Sequence, residues 1–274
     1  MKASQGFARR LLLLIAPLVL RSVAASPAQA ATLAFSEGLF EFGDFSQSPY
    51  STETFSGASA FTFSKTGASA AAFAQQEALF FSAPTWTFDL SSNLAFGESN
   101  DHLGVAETES KLIGQFFIES GQEFSFDFAA YLNMGTSIDF PKEEYAGADG
   151  NLFFGVFDTT DQPVLLDFLA ISSAIATPEG PDSLDFIKSD SIALYQNLAG
   201  AALGGNQEAV QVQLAGSFSR YFDSPTHLTL IQTKTNKAIV KVPEPSSAFA
   251  LLSFGLICLR FKVRKKPVET RDRN

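Results

Sequence analysis

Residues 121–133 read Gly-Gln-Glu-Phe-Ser-Phe-Asp-Phe-Ala-Ala-Tyr-Leu-Asn, and this stretch constrains the fold more tightly than any other. Phe124, Phe126, Phe128, Ala130 and Leu132 alternate with Ser125, Asp127, Ala129 and Tyr131. Successive side chains of a strand point to opposite faces, so the pattern predicts a strand with one apolar and one mixed face. The run before it places Leu112, Gly114, Phe116 and Ile118 on one face. Glu119-Ser120-Gly121-Gln122 lies between the two runs and is turn material, which predicts an antiparallel hairpin.

The same reading extends along most of the chain. Residues 151–158 and 163–172 flank a turn at residues 159–162, and both runs are apolar on two sides, as central strands are. Residues 209–215 and 217–222 alternate as two short strands. Residues 227–233 and 237–242 bracket Lys234-Thr235-Asn236 and predict a closing hairpin. Phe40-Glu41-Phe42, Phe61-Thr62-Phe63 and Thr85-Trp86-Thr87-Phe88 have strand composition, and residues 67–78 are read as a strand of small side chains. Residues 189–202 make the best helix candidate, with Asp190 or Ser191 as cap and Gly204 or Gly205 as stop. The Gly- and Pro-rich residues 177–183 form a loop. Many short strands in one long domain predict an all-β fold, an antiparallel β-sandwich of jelly-roll type whose core the 29 phenylalanines supply. An outer-membrane barrel is the competing β architecture; short strand candidates and an apolar helix at the C-terminus speak against it.

The C-terminal segment, residues 242–274, has three parts. Val242-Pro243-Glu244-Pro245 comes first, then an apolar run through Leu259, then the basic cluster Arg260, Lys262, Arg264, Lys265 and Lys266. As a helix the 16 residues 246–261 cover about 24 Å, somewhat less than the ~30 Å hydrocarbon core of a bilayer. Lysine and arginine favour the cytoplasmic side, which leaves Pro243, Glu244 and Pro245 outside. The prolines stop the helix from running back into the domain. This combination resembles the PEP-CTERM sorting signal of Gram-negative bacterial surface proteins. The resemblance is confined to the tail. It implies a sorting motif at Pro243, Glu244 and Pro245, an exosortase-type membrane protease as partner, and membrane attachment through the C-terminal helix before processing. It also implies association with extracellular polysaccharide.

The N-terminus predicts the same route. Lys2, Arg9 and Arg10 precede a ten-residue apolar run, residues 11–20, and Ala28-Gln29-Ala30 is a small-x-small cleavage site. Residues 1–30 are therefore read as a signal peptide, residues 31–241 as the exported domain, and residues 242–274 as the sorting segment. Residues 31–241 hold 8 of the 19 basic residues and 26 of the 29 carboxylates, a formal charge of −18 against −10 for the whole chain. Such a surface repels nucleic acid and anionic lipid. The single cysteine, Cys258, lies in the tail, so the domain has neither a disulfide nor thiol chemistry.

Few residues stand out for chemistry. His102 and His227 lack metal-ligand spacing, and there is no phosphate loop, nucleophile elbow or His-Glu-x-x-His motif. Asp127 is a charge set between two phenylalanines. Tyr131 and Tyr145 follow it as a candidate platform for stacking on sugar rings, whereas Trp86, alternating with Phe88, is expected in the core. Loop carboxylates are the calcium candidates: Asp139, Glu143, Glu144 and Asp149 in one connection, Asp158 and Asp161 in another. The sequence predicts a non-catalytic exported protein of the cell surface or extracellular matrix. A carbohydrate-binding module, calcium-dependent or not, is the alternative. A polysaccharide hydrolase would need two facing carboxylates roughly 5 to 9.5 Å apart in a cleft.

Overall fold

A computed structural model of the chain describes residues 31–65, 68–82, 85–98, 101–180 and 182–242. The expected signal peptide with Ala28 and Ala30 lies outside the described residues. So does the tail, with Pro243, Glu244, Pro245, the apolar helix and the basic cluster Arg260, Lys262, Arg264, Lys265 and Lys266.

The described residues are all-β and contain no helix. Twelve strands run in order: β1 (Ala31–Gly43), β2 (Ser51–Ser64), β3 (Ser69–Ser82), β4 (Thr85–Glu98), β5 (His102–Ile118), β6 (Gln122–Ser137), β7 (Tyr145–Asp158), β8 (Val164–Thr177), β9 (Ser183–Lys188), β10 (Ile192–Ala202), β11 (Gln207–Phe222) and β12 (Thr226–Val242). They form two six-stranded sheets, ordered β10-β11-β6-β1-β4-β3 and β2-β5-β12-β7-β8-β9. Neighbouring strands pair antiparallel throughout.

The alternation in β6 works as its sequence predicts. Phe124, Phe126 and Phe128 point into the space between the sheets, where they join Phe40, Phe42 and Phe218 of the first sheet and Phe116 and Phe154 of the second. Ring centroids of Phe42 and Phe128 lie 5.4 and 5.1 Å from that of Phe154, across the gap between sheets. Burying each such ring stabilises the fold by roughly 1.5–3 kcal/mol. The hairpin over residues 151–172 is also present, as β7 and β8, and residues 69–82 are strand.

Several expectations are corrected. Residues 112–118 and 122–132 are not a hairpin: β5 pairs with β2 and β12 in the second sheet, while β6 pairs with β1 and β11 in the first. The turn between them crosses from sheet to sheet, which strand alternation alone does not reveal. Residues 227–242 are not two strands but one, because Lys234 and Asn236 point inward to buried partners instead of turning the chain. Residues 209–222 likewise belong to one strand, β11. The helix candidate at 189–202 is mostly β10, where pairing with β11 overrides its alanine and leucine content. Trp86 is half-buried on the outer face of its sheet, stacked on Phe81 and Phe88. The inward row of β4 is instead Thr87, Asp89, Ser91 and Asn93.

β1 and β12 are interior strands of their sheets. Ala31 pairs with Glu98 and Val242 with His102, the residues that end β4 and begin β5. The start of β1 and the end of β12 therefore lie at the same end of the domain.

Candidate functional site

The outer face of the second sheet carries a shallow groove of about 630 Å³. Strand register builds it from two polar rows. Ser59, Glu107, Lys237 and Asp149 stand side by side on β2, β5, β12 and β7. Next to them Gly57, Glu109, Thr235 and Asn151 form a second row. Gly57 opens the β2 side: a Cβ there would stand 3.4 Å from the Glu109 side chain. An apolar row, Phe61, Val105 and Ile239, borders the polar ones on one side, and a mixed row, Phe55, Lys111, Thr233 and Phe153, on the other. Phe55 and Phe61 are 54% and 58% exposed, so these rings face solvent at the groove's edge.

Tyr145 completes the rim. It lies on the same face of β7 as Asp149, and the glycine between them, Gly147, lets its ring fold over the strand. A Cβ on Gly147 would stand 2.8 Å from the tyrosine hydroxyl. Burial raises the Tyr145 hydroxyl above its ordinary value, the Asp149 charge raises it further, and Lys237 opposes both. The Asp149 carboxyl is also raised by desolvation, against the pull of Lys237. Lys237 Nζ holds Glu107 Oε1 at 2.6 Å. Asn151 donates to Thr235 Oγ1 at 3.3 Å and accepts from the Ser172 hydroxyl at 2.6 Å. The groove thus offers fixed carboxylate acceptors, amide and ammonium donors, and aromatic faces, all within one open surface.

Two of the residues singled out in the sequence, Tyr145 and Asp149, meet here. The others lie elsewhere. Asp127 is on the outer face of the first sheet, where desolvation and Asp44 raise its carboxyl. The hydroxyl of Tyr195 beside it is pushed up to about 12 by burial, with Asp127 and Asp44 adding to the shift. Tyr131 is on that same face but only 2% exposed, and its hydroxyl accepts from Gln211 at 3.4 Å, so it offers no ring to a ligand. Tyr131 and Tyr145 stand on different sheets and form no common platform. The loop carboxylates do not converge. Glu144 accepts from the backbone of Asp139 and Phe140 at 2.6 and 3.0 Å, and Asp158 from the Thr160 amide at 2.9 Å. Neither Glu143 nor Asp161 joins them in a ligand set: among the described residues no three His, Cys, Asp or Glu side chains are placed to hold a metal ion. Glu107, Glu109, Asn151 and Lys237 carry no signal in the sequence, because their grouping depends on the pairing of separate strands.

The segment beyond β12 decides the route of the chain. Residues 241–266 match the PEP-CTERM protein-sorting motif. The sorting motif lies at the C-terminal tail and implies an exported protein handed to an exosortase. The match begins at Lys241, one residue before the last strand ends. No curated protein and no solved structure matches the chain.

Proposed function

We propose that this chain is a non-catalytic surface or matrix protein of a Gram-negative bacterium. In this reading residues 1–30 direct it across the inner membrane, the apolar tail helix holds it there, and an exosortase-type protease processes it near Pro243, Glu244 and Pro245. The observation that carries the reading is the sorting motif placed directly behind the last strand. The folded part is a jelly-roll-like sandwich. Strand order supports this: the inner quartets β4-β1-β6-β11 and β5-β12-β7-β8 interleave as the eight strands of a jelly roll do, with β1 in the place of the last strand. Replacing Pro243, Glu244 and Pro245 by alanine is expected to leave the chain membrane-bound with its basic tail attached. Normal release of the variant would contradict the reading.

The groove favours a second, compatible role, binding of extracellular polysaccharide. Sugar hydroxyls suit the acceptors Asp149 and Glu109 and the donors Asn151 and Lys237, while the apolar faces of sugar rings suit Tyr145, Phe55 and Phe61. The ion pair with Lys237 occupies Glu107 as a fixed charge. Calcium is not needed for this contact, because the groove's own donors and acceptors suffice.

A further inference from the structure

Lys234 and Asp89 face each other at the centre of the space between the sheets, and both side chains are 0% exposed. Lys234 is on β12 of the second sheet and Asp89 on β4 of the first. Nζ lies 2.7 Å from Oδ1. We propose that Lys234 and Asp89 condense to an intramolecular amide, a covalent bond between Nζ and Cγ that ties the two sheets together.

The surroundings hold the reactants in place. Lys234 Nζ also donates to the backbone carbonyls of Asp89 at 2.8 Å and Gly38 at 3.2 Å. Gly38 leaves room for the lysine chain, since a Cβ there would come within 3.0 Å of Lys234 Cδ. The Ser110 hydroxyl donates to Asp89 Oδ2 at 2.6 Å, and the Gln76 amide donates to Oδ1 at 2.5 Å. Fixing two reactants in contact removes most of the entropic barrier to their reaction, an effect worth roughly 7–11 kcal/mol in well-oriented cases.

Burial also favours the reactive, uncharged form of the lysine. Two full charges taken out of water are costly, and a buried pair of this kind is often no more stable than an apolar replacement. Burial pushes the Lys234 ammonium down to about 8, with Asp89 opposing. A proton passing from Nζ to Oδ1 leaves a neutral amine beside a neutral acid. The amine lone pair then attacks Cγ, and the N–C bond forms. Negative charge develops on Oδ2, where the Ser110 hydroxyl already donates. The Cγ–Oδ1 bond breaks, and Oδ1 leaves as water with the proton it first received and a second one from nitrogen. The ammonium and carboxylate thus become one amide and one water, with no oxidant or co-reactant.

The bond would join the last strand of the domain to the opposite sheet. β12 leads into the sorting segment, and residues 31–241 contain no cysteine to brace the two sheets. An amide from β12 to β4 passes tension from one sheet to the other.

The test is a tryptic digest of the unfolded full-length chain, recovered from cells and read by mass spectrometry. An acylated Lys234 is not cut, so peptide 221–237 stays joined to peptide 66–111, which carries Asp89. The expected product is this branched species, lighter by one water than the two linear peptides together. Asp89→Asn is expected to give the same branched mass, because ammonia leaves instead of water. Asp89→Ala and Lys234→Arg are expected to give linear peptides only. A wild-type digest containing linear 66–111 and peptide 221–234, cut after Lys234, with no branched species, would overturn the proposal.

Discussion

The space between the two sheets is filled in two ways. At one end it is aromatic: Phe40, Phe42, Phe116, Phe124, Phe126, Phe128, Phe154 and Phe218 pack edge to face and in offset stacks, as Phe126 and Phe218 do at 5.1 Å. Toward the middle it is polar. Ser91 donates to Asn236 at 2.7 Å, Asn236 to Ser36 at 2.7 Å, Asn93 to Thr108 at 2.8 Å and Ser110 to Asp89 at 2.6 Å. The aromatic part supplies non-directional free energy and tolerates small shifts. The polar part is directional, and its bonds cross from one sheet to the other, so it specifies how the sheets are set against each other. A one-residue slip of β4 would bring Trp86, Phe88 and Leu90 inward and break the links made by Asp89, Ser91 and Asn93.

The contrast can be broken first by truncation on either side. Phe154→Ala should cost about 3–5 kcal/mol in denaturant unfolding. Asp89→Ala should cost a similar ~3–5 kcal/mol, because it strands Lys234 in the interior. The difference lies in rescue: Asp89→Leu combined with Lys234→Met should lose less than Asp89→Ala alone. An equal loss would mean that the cost lies in the lost link between Lys234 and Asp89 and not in the stranded ammonium or in volume.

Glu41 sharpens the comparison as a polar group outside the network. It is 3% exposed on the outer face of its sheet, and desolvation alone pushes its carboxyl from 4.5 up to about 7. The folded state therefore holds the proton more tightly than the unfolded state. Its contribution to stability is fully present below pH 4.5 and is lost as pH rises through 7. Glu41→Gln should raise stability at pH 8 by up to roughly 3 kcal/mol and leave it unchanged at pH 4. Thermal unfolding at the two pH values checks this; a gain of equal size at both would refute it. The smallest effect on stability is expected at the groove, where Tyr145→Ala should stay within about 0.5 kcal/mol of wild type while weakening polysaccharide binding.

The aromatic region is legible in the sequence and the polar region is not, for one physical reason. Phe124, Phe126 and Phe128 declare their face by simple alternation. Asp89, Ser91 and Lys234 are buried only because partners far along the chain satisfy them, and a local reading assigns such residues to surfaces or turns. That is why Lys234-Thr235-Asn236 reads as a turn, and why the apolar row of β4 reads as its inner face. The same limit governs the site. Tyr145 and Asp149 can be picked out one by one, but the rows that make them a groove arise from the register of β2, β5, β12 and β7. The sorting motif is contiguous and can be read from its residues alone.

The most direct test of a polysaccharide-holding surface protein is co-sedimentation of the folded domain, residues 31–242, with the host's own extracellular polysaccharide. The groove predicts that wild type sediments with the polymer, with or without a chelator, and that Tyr145→Ala and Asp149→Asn each reduce the bound fraction severalfold. Absence of binding, or binding unchanged in both variants, would contradict it.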